Sequence, residues 1–288
     1  MSFGAAAFRT AILCFSTLVP ACVHAEEIDT EHLFGFTIGT DVGSVGEREF
    51  QSQTTGRFSK TAGNYGAVNQ ELELEFVPIN NFRIEVGGSF ASYDINGVPG
   101  FEDRSQLDWQ GASVDLRYKL FDRKSAPFGL TFALETHADR FDDITAAPAR
   151  KYGTELTMAL DRELIPNRVV AAFNLLYEPE WTHLFGTAVA EQESTAGVAV
   201  AVMAQIRAGF LIGGEVRYLR KYGGIGFDDF AGQALFAGPT AYWQLSERSR
   251  LTVAWSPQLW GRPAGSIATL ELVNFERHQA RVIFGVNF

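Results

Sequence analysis

The chain contains only two cysteines, Cys14 and Cys22, and both fall in its first 25 residues. If that stretch is a removed export signal, the remainder can form neither a disulfide nor a thiolate metal site. No run beyond residue 25 approaches the roughly 18 consecutive apolar residues of a spanning helix, so no transmembrane helix is expected. Positive charge is also scarce, with 24 Lys and Arg against 34 Asp and Glu. Arg9 is the one charged residue among the first 25; removing it leaves 23 basic against 34 acidic residues, a net charge of −11. That balance argues against nucleic acid as a partner.

The amino terminus supplies the first positive signal. Arg9 precedes the apolar run AILCFSTLVPACV, which is too short to span a bilayer, and Val23 and Ala25 are small residues at the −3 and −1 positions of a cleavage site. A signal peptide over residues 1–25 is therefore expected, with the mature domain covering 26–288. Lipoprotein processing at Cys22 is the rival reading, but Pro20 in VPAC matches that motif poorly.

The whole chain carries 46% hydrophobic residues, 28 Gly and 24 Phe, and beyond residue 25 they are spread almost evenly and in alternation with polar groups. LFGFTIGTDV sets Phe34, Phe36, Ile38 and Val42 against Gly35, Thr37, Gly39 and Asp41, and reads as a first strand. A polar stretch from Gly43 to Tyr65 reads as a loop. VNQELELEFV then sets Leu72, Leu74 and Phe76 against Glu71, Glu73 and Glu75, and such a strand cannot bury both faces. Similar segments follow to the last, HQARVIFGVNF, where Ala280, Val282, Phe284, Val286 and Phe288 share one face. This final alternating strand with its aromatic terminal residue resembles the closing strand of bacterial outer-membrane β-barrel proteins. The resemblance implies that Phe288 is read by the barrel-assembly machinery.

Twelve strands in six pairs are expected, with short turns near Pro78, Asp122, Leu164, Arg207 and Glu247 alternating with longer polar loops. Pro239 makes the tenth strand the least regular, because proline fits a ladder only at an edge or bulge. Aromatic girdles are expected from Phe82, Tyr118, Phe121 and Phe128 at the turn end, and from Tyr93, Trp109, Tyr152, Trp181, Tyr218 and Trp260 at the loop end. A soluble β-sandwich also alternates. Regular strands of about ten residues, the spanning length, favour an all-β transmembrane antiparallel up-and-down barrel, with ten or fourteen strands as alternatives to twelve.

With the apolar faces toward lipid, the opposite faces line a lumen. They carry Glu71, Glu73, Glu75, Glu85, Asp115, Glu135, Glu155, Glu178 and Glu215, joined by Arg83, Arg117, Lys119, Arg217 and Arg281. A water-filled channel for small solutes, tilted toward cations, is the expected function; a closed barrel filled by internal ion pairs, structural or adhesive, is the alternative. Val170, Ala172 and Leu176 break the polar pattern and read as a docking surface for an inward-folded loop. The FDD segments at Phe141–Asp143 and Phe227–Asp229 offer carboxylate pairs (Asp142 with Asp143, Asp228 with Asp229) that suit a divalent cation. Turn chemistry is the favoured account of them, since Asp is a common turn residue. His137 beside Asp139, with His183 and His278 elsewhere, raises an outer-membrane hydrolase or protease, yet no nucleophile motif accompanies them. The expectation is thus a channel and not an enzyme, without a cofactor. Its expected partners are outer-membrane lipid and lipopolysaccharide, the assembly machinery and small solutes.

Overall fold

Twelve strands run antiparallel to their sequence neighbours: β1 (Arg48–Phe58), β2 (Asn64–Ile79), β3 (Phe82–Asn96), β4 (Arg104–Phe121), β5 (Gly129–Phe141) and β6 (Pro148–Ile165), then β7 (Val169–Leu184), β8 (Glu191–Arg207), β9 (Phe210–Tyr222), β10 (Phe230–Gln244), β11 (Ser249–Pro263) and β12 (His278–Asn287). The computed structural model describes residues 28–288, so the expected signal peptide and its cleavage point lie outside the described residues. β12 returns to pair with β1 from Phe58↔His278 to Glu49↔Asn287, and the sheet closes into a barrel. Closure pairs both strand edges, the one way a sheet can face lipid without unsatisfied backbone groups.

Burial is inverted relative to a soluble protein. Leu74 is 57% exposed, Phe132 47%, Val216 45% and Val282 41%, whereas Glu73, Asp115 and Glu215 are 6%, 6% and 2% exposed. A sandwich would bury the first set and expose the second. The molecule is an outer-membrane-type β-barrel of twelve strands. Short turns at one end alternate with longer loops at the other, and both ends of the wall, Arg48 and Asn287, lie at the turn end.

The first strand is not where alternation placed it. LFGFTIGTDV forms no strand and lies inside the barrel, while β1 comes from the stretch read as a loop. On β1 the outward positions include Ser52, Thr54 and Gly56 between Phe50 and Phe58, too few apolar residues to register as a lipid face. These polar groups satisfy one another: Thr54 Oγ1 donates to Gln70 Oε1 at 2.5 Å, and Gln70 Nε2 donates to Ser52 Oγ at 3.0 Å. Tyr93, expected in the loop-end girdle, points inward instead and is 2% exposed, because its odd position on β3 falls on the lumen face. It packs there with Tyr65, Ala67 and Ala146 beneath the loops. Pro239 sits within β10 beyond a bulge at Leu235/Phe236, where the ladder to β11 is interrupted.

The facing assignment generates a direct test. Arginine at Leu74, Phe132 or Val216 is expected to cost about 2–4 kcal/mol near mid-membrane and to reduce assembly. Gln53→Arg, whose side chain meets Glu71 in the lumen, is expected to assemble like the parent. Refolding yield, read as the fraction of heat-modifiable species on gels, distinguishes the two classes; equal loss in both removes the facing assignment.

Candidate functional site: a plugged and charge-lined lumen

Residues 28–42 enter the lumen from the turn end, reach mid-barrel near Phe36, and return to the same end before β1. The segment turns at residues 31–32, bends at 35–37 and pairs with no strand, so its backbone groups depend on lumen side chains. Gly35 N and Phe36 N donate to the two oxygens of Glu215 at 2.7 and 2.9 Å. Asn174 holds Ile38 through both amide atoms, accepting from its N at 2.7 Å and donating to its O at 2.9 Å. Thr40 N donates to Asp161 at 3.0 Å, and Thr131 Oγ1 donates to Thr40 O at 2.6 Å. Thr252 Oγ1 donates to His32 O at 2.9 Å. The Phe36 ring is stacked by Arg217 and Arg281, 3.9 and 4.8 Å from its centroid.

Local sequence explains this course. A Cβ at Gly35 would lie 2.2 Å from Ala254 Cβ, and one at Gly39 would lie 2.0 Å from Thr30 O, so the glycines permit contact with the wall and between the two limbs of the plug. Ile28, Leu33 and Phe34 dock on Val170, Ala172, Ala201, Met203 and Leu211. The apolar inner patch on β7 is thus a docking surface, as expected, but the amino-terminal segment occupies it. Leu176, further along the same face, packs instead with Leu219, Phe236 and Phe275, the last from the β11–β12 connection.

The fourteen sequence-predicted lumen charges all lie on strand faces turned inward, and they divide into two groups. Arg83 contacts Glu31, Glu75 and Glu85 at 3.0, 3.1 and 3.2 Å. Arg117 pairs with Asp115 at 2.7 Å, and Lys119 with Asp122 at 2.9 Å. Glu215, Arg217 and Arg281 serve the plug. By contrast Glu71, Glu73, Glu135, Glu155 and Glu178 have no ion pair among the described residues, and all five border one central cavity of about 360 Å³. Their hydrogen bonds are to neutral groups, such as Gln51 to Glu73 at 2.5 Å and Ser113 to Glu71 at 2.9 Å.

That central cavity is one of three along the lumen. A loop-end cavity of about 270 Å³ shares Asn69, Glu71, Glu135, Glu178 and Arg281 with it, and a turn-end cavity of about 260 Å³ shares Glu31 and His32. Three polar cavities thus lie in series along the lumen, adjoining at these shared residues.

Several charged groups escaped the sequence reading. Glu31, His32 and Asp41 belong to the plug, and Glu49 and Arg57 to β1. Lys151 and Glu180 share the inward face of Glu155 and Glu178, so the two-residue period extended by one step from Glu178 and two from Glu155 would have found them. Lys151 contacts Glu180 at 2.6 Å and also pairs with Asp143, which Arg57 reaches at 2.8 Å. Asp142 accepts from Thr145 N and Oγ1 at 2.8 and 2.6 Å. The first FDD pair is thereby engaged in structure. In the β1–β2 connection Lys60 is buried; burial pulls its ammonium below the ordinary lysine range, opposed by Glu276 at 3.5 Å. Its bond to Phe275 O at 2.8 Å pins the β11–β12 connection inward. His137 lies 3.7 Å from Asp139 and 3.8 Å from Glu180, and no serine or threonine hydroxyl is bonded to it among the described residues. His183 bonds Thr187 O at 3.0 Å, and His278 stacks on Trp255.

Glu215 is the plug's deepest anchor, and an isosteric amide has only one oxygen with which to accept two backbone N–H groups. Glu215→Gln is expected to speed hydrogen exchange at Gly35 and Phe36 by roughly 10–100-fold, the equivalent of one lost charge-assisted bond. The twelve strands should exchange as before. Unchanged exchange at those two amides would show that the plug is held elsewhere.

Comparison with known proteins places this architecture. A search of curated proteins found no match. The outer membrane channel COG4313 from Pseudomonas putida F1 superposes with a TM-score of 0.58 at 12% identity, covering 86% of this chain and 98% of that one. The translocator domain of the autotransporter NalP from Neisseria meningitidis gives 0.47 at 13% identity, covering 86% and 91%. The β domain of the Bordetella autotransporter BrkA gives 0.49 at 11%, covering 85% and 100%. At such identities the likeness is one of fold. A model of a family of unknown function, DUF6662, matches residues 26–288, and the chain belongs to that family.

Proposed function

We propose that the protein is a passive channel of the outer membrane that admits small polar solutes, prefers cations, and is throttled by its own amino-terminal segment. The observation that carries this reading is the series of three adjoining polar cavities, whose central member is bordered by five carboxylates without a basic partner. Charges placed in a low-dielectric wall set the local potential strongly, so uncompensated carboxylates raise the local concentration of cations and repel anions. Arg217 and Arg281 oppose them, yet both guanidiniums lie against Phe36. A closed barrel filled with ion pairs would neutralise its interior charges locally, and five unpaired acids fit that alternative poorly. A catalytic role is disfavoured by the surroundings of His137, which offer carboxylates and no bonded hydroxyl nucleophile. Export through a cleaved signal and delivery by the assembly machinery belong to the same reading.

Planar-bilayer recording of the refolded mature chain tests it. Stepwise conductance with a cation preference is expected, and Glu71, Glu135 and Glu178 changed together to Gln should move the reversal potential in a salt gradient toward zero. Deleting residues 28–42 should raise unit conductance severalfold, since the plug fills mid-lumen. A parent protein that stays electrically silent, and remains silent without its plug, overturns the channel.

A further inference from the structure

The plug's turn-end limb carries a second feature that conduction does not require. The His32 side chain is 10% exposed, and its buried Nε2 has no hydrogen-bond partner. Three carboxylates surround that nitrogen: Glu75 Oε2 at 3.5 Å, Glu49 Oε2 at 3.7 Å and Glu31 Oε2 at 3.9 Å. The Glu75 side chain is 2% exposed, and its Oε2 also meets Arg83 Nη1 at 3.1 Å. The imidazole nitrogen is thus left unsatisfied among buried carboxylate oxygens, where burial makes that costly.

Charge points the same way. The groups linked through His32, Arg83 and Arg250 comprise four carboxylates (Glu31, Glu49, Glu75 and Glu85) and two guanidiniums. The set carries two negative charges in excess, the complement of one divalent cation. Geometry adds a third argument. Bonds of about 2.0–2.1 Å to zinc place tetrahedral ligand atoms about 3.3–3.4 Å apart, close to the spacing around His32 Nε2. Glu31, His32 and Glu75 each offer one ligand atom within 4.8 Å of the others. The turn-end cavity, of about 260 Å³, reaches His32, Glu31 and Glu49 and gives an ion access from the periplasmic side.

We propose that His32, Glu31 and Glu75, with Glu49 beside them, bind one divalent cation of the zinc class and that the ion ties the plug to β1 and β2. The imidazole selects a borderline metal over calcium or magnesium, which take oxygen ligands. Glu31 and His32 come from the plug, Glu49 from β1 and Glu75 from β2, so the bound ion bridges the stopper and the wall. An ion that binds only this docked arrangement stabilises it by mass action. The site stands whether or not the lumen conducts.

Titration of the refolded mature chain with zinc chloride, followed by calorimetry, tests the site. One equivalent is expected. His32→Gln and Glu75→Gln should each weaken binding by roughly tenfold or more, the scale on which metal sites respond even to their supporting groups. His137→Ala, which alters the other His and carboxylate cluster at the loop end, should leave binding unchanged. Heat-modifiable migration establishes that each variant is folded. Zinc should also slow hydrogen exchange across residues 30–40 in the parent and not in His32→Gln. Absence of binding, binding unaffected by His32→Gln, loss of binding in His137→Ala, or binding that leaves exchange unchanged would each overturn the proposal.

Discussion

Hydrocarbon offers no hydrogen-bond partner, and the remaining features of this barrel follow from that constraint. Every backbone group in the wall must find its partner in a neighbouring strand, so β12 has to return to β1. Once the wall is closed, alternation divides the side chains between lipid and lumen with no third choice. The exterior is therefore apolar, and the ionised groups of the membrane-spanning wall are gathered into a narrow interior, where water and each other are the means of compensation.

The interior meets that demand unevenly. Toward the turn end, arginines lie among acids in clusters, as with Arg83 between Glu31, Glu75 and Glu85. Toward the loop end, Lys151 and Lys221 share Glu180. Between these two regions lie the unpaired carboxylates of β2, β5, β6 and β7, beside the central cavity. The plug passes through the same zone and takes its bonds from Glu215, Asn174, Asp161 and the two arginines behind Phe36.

Much of this arrangement was legible in the sequence because a period of two carries both strand identity and facing. Leu74, Phe132 and Val282 could be assigned to lipid, and Glu73, Asp115 and Arg281 to the lumen, from alternation alone. The count of twelve strands also holds, although one member was misplaced. Alternation reports that a segment is extended between two unlike surroundings, and it is silent on whether those surroundings are lipid and water or two sides of a filled lumen. Phe34 and Ile38 alternate with glycines because the plug is squeezed between walls. β1 hides because Ser52, Thr54 and Gln70 satisfy one another on the outer face. Contacts such as His32 with Glu75 join residues distant in sequence, and no local pattern encodes them.

The plug is attached by side chains throughout and contributes nothing to the ladders of the wall. Stopper and pipe are therefore separable components: all the backbone pairing that closes the cylinder survives the stopper's departure, and what departs with it is the partner of Glu215, Asn174 and Phe36's two arginines. A lineage could lengthen, shorten or discard residues 28–42 and keep the same cylinder, whereas any change in strand number would rebuild both. The bore of such a protein can thus be retuned through residues 28–42, at a place in the chain where insertions and deletions disturb no strand.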